Sequence, residues 1–261
     1  MEGHLVEIFS SFQGEGCSIK GSCYGKRQCF IRFAGCNLAL ESNACKWCDS
    51  VFAQDLKMNN FKIEKNPGSG NFIKMPNPVK VKLIRNIIQE LSSPDLHSIS
   101  ITGGEPLYQI KFLKELVNIL SDFQLYLETN GTLPENAKNV LEYFDYCCCA
   151  IKDESAFNSK DWKKIVEREF QTIQYFVKAE KSVFAKVVVT NSTTTENIEW
   201  YAGRLSELNV PLAIQIVNGS KNINLRPSFQ QICQYTEAAA KHLSPDQIGV
   251  SIQAHKFLGY L

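Results

Sequence analysis

The sequence predicts a single α/β domain built from parallel strands with covering helices. Three observations carry this expectation. Past Pro78, short β-branched or aromatic runs alternate with stretches whose apolar residues recur every three or four positions, the signatures of buried strand and amphipathic helix. A repeated strand-then-helix order, joined by short polar segments, sets successive strands side by side and parallel. The 261 residues are 44% hydrophobic and 21% charged, which supplies one substantial core in a folded chain.

Taken in order, residues 28–34 (QCFIRFA) form an aromatic, β-branched strand closed by Gly35, and a cysteine-rich loop follows. Residues 51–78 are polar and contain Asn66-Pro67-Gly68 and two further prolines, so they read as an irregular insertion. Val79, Leu83, Ile84, Ile87, Ile88 and Leu91 then mark a helix, SISIT (98–102) a strand and residues 110–120 another helix. The order repeats with strand QLYLET (124–129), helix PENAKNVLEYF (134–144), strand YCCCAIK (146–152), a long helix over 160–177 and strand VFAKVVV (183–189). A helix over 195–208, strand PLAIQI (211–216), a helix over 229–243 and strand IGVSIQ (248–253) complete the series. The pattern admits an open or closed barrel and a doubly wound sheet alike.

The formal net charge of +1 gives no global field for nucleic acid or an anionic membrane. The first residues lack a basic stretch followed by an apolar one, and no run approaches the roughly 20 apolar residues of a membrane span. A cytoplasmic location is expected. Ten cysteines in a chain of this length and hydrophobicity fit a reducing compartment better than a disulfide framework.

Those cysteines are unevenly placed, and three of them define a motif. Cys36, Cys45 and Cys48 have the spacing C-x8-C-x2-C on a loop directly after a strand. Three thiolates can hold three irons of a cubane [4Fe-4S] cluster and leave the fourth iron open to an outside ligand. A structural zinc site normally closes with four protein ligands, and burial as small hydrophobes is the remaining alternative. Thr102-Gly103-Gly104-Glu105-Pro106 stands at the carboxyl end of SISIT, where α/β folds place ligands. Its glycines allow close backbone approach, and Glu105 offers acceptors to a ligand ammonium, unless the segment is a simple turn.

Together, Cys45-Lys46-Trp47-Cys48-Asp49-Ser50 and ITGGEPL resemble the radical S-adenosylmethionine (SAM) superfamily. Ile8-Phe9-Ser10-Ser11-Phe12-Gln13-Gly14-Glu15-Gly16 and Phe30-Ile31-Arg32-Phe33-Ala34-Gly35-Cys36-Asn37 narrow the likeness to the 7-carboxy-7-deazaguanine synthase family. Leu127-Glu128-Thr129-Asn130-Gly131-Thr132 and Ile252-Gln253-Ala254-His255-Lys256 look similar to the same family, so the resemblance spans the chain except residues 51–78. One departure is the eight residues between the first two cluster cysteines, where the family commonly has three; Ala39 to Ala44 reshape that loop.

The resemblance implies a partial (β/α)6 barrel, modified from the radical SAM core, in a homodimer. It implies the ring contraction of 6-carboxy-5,6,7,8-tetrahydropterin to 7-carboxy-7-deazaguanine with loss of ammonia, feeding queuosine or archaeosine biosynthesis. The implied cofactors are a [4Fe-4S] cluster, SAM and Mg²⁺. An electron donor such as flavodoxin or ferredoxin would reduce the cluster, and no direct nucleic-acid contact is implied. A glycyl-radical activating enzyme shares the cluster motif, and a zinc-stabilised binding module is the alternative from another class.

Residue by residue, the resemblance assigns Cys36, Cys45 and Cys48 to the cluster and Ser50 to Mg²⁺. It places Trp47, Cys48, Asp49, Gly104, Glu105, Thr129, Lys152, Gln215, Ile216, Val217 and Asn218 around SAM. Phe12, Gln13, Gly14, Glu15, Arg32, Thr102, His255 and Leu261 fall to the substrate, with no direct acid or base among them. Gln13 offers a donor and an acceptor to an amide edge. Arg32 lies inside an apolar strand, where an unpaired guanidinium is costly, so it calls for a carboxylate: the substrate's, or an internal acid such as Glu15.

Overall fold

The computed structural model describes residues 1–41, 45–157, 161–218 and 220–253. In chain order they form strand β1 (Glu2–Gly3), β2 (Leu5–Phe12) and β3 (Arg27–Phe33), the short helix α1 (Asn37–Leu40), β4 (Asn60–Glu64), β5 (Phe72–Pro76) and β6 (Val79–Lys80). Then come α2 (Val81–Leu91), β7 (Ser98–Gly103), α3 (Ile110–Ile119), β8 (Leu125–Thr129), α4 (Pro134–Lys138), β9 (Tyr146–Ile151) and α5 (Trp162–Lys178). β10 (Ser182–Val189), α6 (Thr195–Glu207), β11 (Leu212–Ile216), α7 (Phe229–Ala240) and β12 (Ile248–Ser251) follow.

Ten strands make one sheet in the order β12-β11-β10-β9-β8-β7-β3-β2-β4-β5. From β3 to β12 every neighbouring pair is parallel. Helices cover one face: Val81, Ile84, Ile87, Ile88 and Leu91 of α2 are buried at helical spacing, and α5 buries Ile165, Val166, Phe170, Ile173 and Phe176. Side chains from β3, β7, β8, β9, β10 and β11 all reach one cavity, so the sheet curves around it as a partial barrel.

Three elements depart from the sequence expectation. The 51–78 segment is not irregular throughout, because β4 and β5 pair antiparallel and extend the sheet beyond β2. β2 itself, unread as a strand, runs antiparallel to β3. The helix expected over 134–144 ends at Lys138 and resumes only as a 3-10 turn at Leu141–Tyr143.

Candidate active site

The cavity, about 430 Å³, is bordered by the loops that follow β3, β7, β8 and β9, the carboxyl ends where open α/β sheets receive ligands. Cys36, Cys45 and Cys48 all line it. The loop is tied down by its backbone: Cys36 N–H donates to the Gln54 carbonyl (3.2 Å), Lys46 N–H to Ala156 (3.0 Å) and Cys48 N–H to Cys45 (3.1 Å). Asn130 Nδ2 lies 3.9 Å from Cys36 Sγ and donates to Asn37 Oδ1 at 3.0 Å. Burial pushes the Cys45 thiol up to about 11 against the opposing charge of Lys152, so any metal taken there would have to displace its proton. Among the described residues no group of three or more His, Cys, Asp or Glu side chains is placed to hold a single metal ion. A cubane instead spreads its thiolates over separate irons.

The Gly103-Gly104 pair owes its identity first to backbone packing. Gly103 has φ +139°, and a Cβ there would lie 2.3 Å from the Phe33 carbonyl oxygen. At Gly104 a Cβ would meet the Gly35 and Ala53 carbonyl oxygens at 2.2 and 2.5 Å. β7 therefore seats directly against both ends of the cluster loop. Glu105 is 0% exposed, is absent from the cavity lining, and its carboxylate is engaged within the chain. It accepts from Asn130 N–H (2.7 Å), Thr129 Oγ1 (2.8 Å) and Leu107 N–H (3.1 Å), and burial raises it to about 7. Glu105 thus braces the loop after β8.

Phe12, Gln13, Gly14, Glu15, Arg32 and Thr102 line the same cavity. Arg32 Nε donates to Glu7 Oε1 at 2.8 Å, its neighbour across β2 and β3, so the internal acid is Glu7 and not Glu15. The guanidinium lies 5.8 Å from the ring centres of both Phe9 and Phe52, and its Nη groups have no hydrogen-bond partner among the described residues. Gln13 is more engaged than expected: Nε2 donates to Gln28 (3.0 Å) and Glu128 (2.7 Å), while Oε1 accepts from Glu15 N–H (3.0 Å). Glu128, which also accepts from Thr102 Oγ1 at 3.1 Å, is raised by burial and by the nearby Glu15 charge. Glu15 is lowered in spite of burial because the Lys186 ammonium pairs with it.

Around the cysteines, Trp47, Asp49, Ser50, Gly104, Thr129, Lys152, Gln215, Val217 and Asn218 line the cavity, whereas Ile216 does not. Lys152 Nζ sits 5.8 Å from the Trp47 ring centre. Trp47 Nε1 and Gln215 Oε1 are buried without a hydrogen-bond partner, a donor and an acceptor left for a bound ligand. Ser50 Oγ donates to Asp49 Oδ1 at 3.1 Å. His255 and Leu261 lie outside the described residues. Glu7, Glu128, Asn130, Lys186 and Gln253 line the cavity without having been singled out in the sequence. Glu128 and Lys186 carried a readable signal, a charge embedded in an apolar strand, the same one that pointed to Arg32.

Glu169 on α5 is 0% exposed and donor-poor: Oε2 accepts from Lys152 N–H at 3.0 Å, and Oε1 has no partner. Burial raises its carboxyl to about 8. Between the ordinary value of 4.5 and about 8 the folded state holds the proton that the unfolded state has lost, so stability falls as pH rises through that window. The total from this group is roughly 3–5 kcal/mol. Glu169→Gln is expected to flatten the loss between pH 5 and 8 in urea denaturation, leaving the smaller slope of Glu105, which titrates in the same direction.

Residues 30–151 match the radical SAM superfamily. A 7-carboxy-7-deazaguanine synthase of Thermococcus kodakarensis is 38% identical over 98% of both chains. Enzymes of that name from Methanocaldococcus jannaschii (36%, over 98% of this chain and 100% of that one) and Geobacter sulfurreducens (31%, over 98% and 97%) also align. In fold, QueE from Escherichia coli superposes with a TM-score of 0.54 at 18% identity, covering 96% of this chain and 94% of that one. A radical SAM methyltransferase from Sphaerobacter thermophilus gives 0.56 at 15%, covering 87% and 70%. The fold and the three-cysteine cavity are those of a radical SAM enzyme. Within that class the chain belongs to the 7-carboxy-7-deazaguanine synthase family.

Proposed function

We propose that this chain converts 6-carboxy-5,6,7,8-tetrahydropterin to 7-carboxy-7-deazaguanine and ammonia, acting as a single radical SAM core domain over residues 1–261. The observation that carries the reading is one cavity lined both by Cys36, Cys45 and Cys48 and by Arg32, whose Nη groups have no hydrogen-bond partner among the described residues. The donor set fits the cofactors. Cys36, Cys45 and Cys48 would hold the cluster, while Gly104, Trp47 Nε1 and Gln215 Oε1 would cradle SAM. When bound, cluster and SAM supply the one-electron chemistry that starts the reaction.

The chain's own residues bind and orient. Arg32 would take the substrate carboxylate in a bidentate pair, with Glu7 fixing its Nε and the Phe9 and Phe52 rings limiting its swing. Gly14 and Thr102 would border the heterocycle, and Gln13 would hold Glu128 toward it. Ser50 and Asp49 offer hard oxygens to Mg²⁺, which would share the substrate carboxylate. His255 and Leu261 are assigned to the substrate from the family pattern. A flavodoxin or ferredoxin would deliver the electron, in a cytoplasmic homodimer; no helix among the described residues is long and apolar enough to cross a membrane.

Arg32→Ala is expected to raise KM for the pterin by about 10²-fold, the loss of one charge-assisted pair. Cleavage of SAM without substrate should change far less. Steady-state assay of product beside 5′-deoxyadenosine checks this, and equal loss of both would contradict the assignment. A tetrahydropterin lacking the carboxylate should be a poor substrate for the unaltered enzyme and discriminated less by the variant.

A further inference from the structure

The β2–β3 connection does not loop into solvent. Residues 13–26 cross the interior of the partial barrel near the amino ends of its parallel strands, with Gly21 against the Val183 backbone and Cys17 against Gly249. Ile19 and Cys23 pack on Tyr126, Cys148, Phe184 and Ala213 of four different strands. This segment is a plug, and it reaches the cavity at Gln13, Gly14 and Glu15. Lys186 Nζ pairs with Glu15 Oε2, Gln253 Nε2 donates to Oε1 at 2.5 Å, and Gln215 Nε2 approaches the same oxygen at 3.5 Å. Gly16 N–H donates to Ser251 Oγ at 3.1 Å. These partners come from β10, β11, β12 and the residues just after it, while the turn itself leaves β2 on the other side of the sheet order. Side chains therefore bridge where the strand ladder stays open.

Lys186 stands between Ala185 and Val187, both 0% exposed, and the side chains of Lys186 and Glu15 are 12% and 11% exposed. A buried ion pair gains little stability over an apolar pair of the same shape, so its effect here is better read as placement of the turn. We propose that Lys186 is a positioning residue for the pterin: by anchoring Glu15 it holds the Gln13-Gly14-Glu15 turn as the fixed wall on which the heterocycle docks. The inference rests on the proposed reaction and adds a residue to it that acts through another.

The test compares Lys186→Met, Lys186→Arg and the double variant Lys186→Met/Glu15→Gln in reconstituted protein. It measures KM and kcat with 6-carboxytetrahydropterin, equilibrium binding of SAM, and thermal midpoint. Lys186→Met should raise KM by at least about tenfold, more than it lowers kcat, with SAM affinity within about threefold; Lys186→Arg should recover most of the KM. The double variant, which leaves neither Lys186 nor Glu15 as an unpaired buried charge, should recover the thermal midpoint and keep the raised KM. An unchanged KM in Lys186→Met, a KM restored in the double variant, or pterin and SAM affinities falling together would each overturn the proposal. Absence of turnover by the unaltered enzyme would remove the proposed reaction itself, whereas turnover with an unaffected Lys186→Met would remove only this inference.

Discussion

Cys45→Ala is expected to give a folded chain that retains no [4Fe-4S] cluster and cleaves no SAM at a detectable rate. Cys45 shares the cavity with Cys36 and Cys48, and two thiolates leave two irons of a cubane without protein ligands. Fold should survive, because Cys45 only packs at the margin of the core and the loop's backbone bonds do not involve its sulfur. Iron and sulfide analysis after anaerobic reconstitution, read beside the far-ultraviolet circular dichroism spectrum, separates these outcomes. A stoichiometric cluster in the variant would show that the third ligand lies elsewhere.

Gly104→Ala is the second large effect, and it acts through sterics. The added Cβ would fall 2.2 Å from the Gly35 carbonyl and 2.5 Å from that of Ala53, both backbone atoms with no flexible end to yield. Gly35 directly precedes Cys36, so relief of the clash displaces Cys36, the first of the three proposed cluster ligands. Overpacking of this kind costs about 1–3 kcal/mol or more. The variant should therefore lose thermal stability and load iron poorly. Normal loading with an unchanged melting curve would mean that the β7 loop is looser than its packing implies.

The parallel strands are legible from their β-branched and aromatic content: VFAKVVV is apolar at every position but Lys186, a run that only a covered sheet tolerates, and SISIT sets β-branched residues between small serines that stay buried. β2 hid behind Ser10 and Ser11, which break its apolar run yet are buried at 4% and 6% exposure. Ser10 is satisfied there because its N–H donates to Glu64 Oε2 at 2.9 Å, a partner 54 residues away that no local pattern reveals. β4 and β5 lie at the sheet edge, where Lys62 and Lys74 pair across the ladder and the polar composition resembles a loop.

The site was legible where chemistry depends on residue type and spacing, as with the cysteines, and where a charge violates an apolar strand, as with Arg32. It was illegible where long-range partners decide a role. Glu105 reads as a ligand group beside two glycines, and no local pattern shows that Thr129 at the end of β8 and Asn130 just after it donate to its oxygens. Gln13 likewise reads as a free amide until Gln28 and Glu128 are brought against it.

The most direct measurement is anaerobic turnover: reconstituted protein with reductant, SAM, Mg²⁺ and 6-carboxytetrahydropterin, followed by mass spectrometry. The account predicts 7-carboxy-7-deazaguanine formed in step with ammonia, at a rate that falls when Arg32 is replaced. A verified cluster that cleaves SAM to 5′-deoxyadenosine while leaving the pterin unchanged would contradict it.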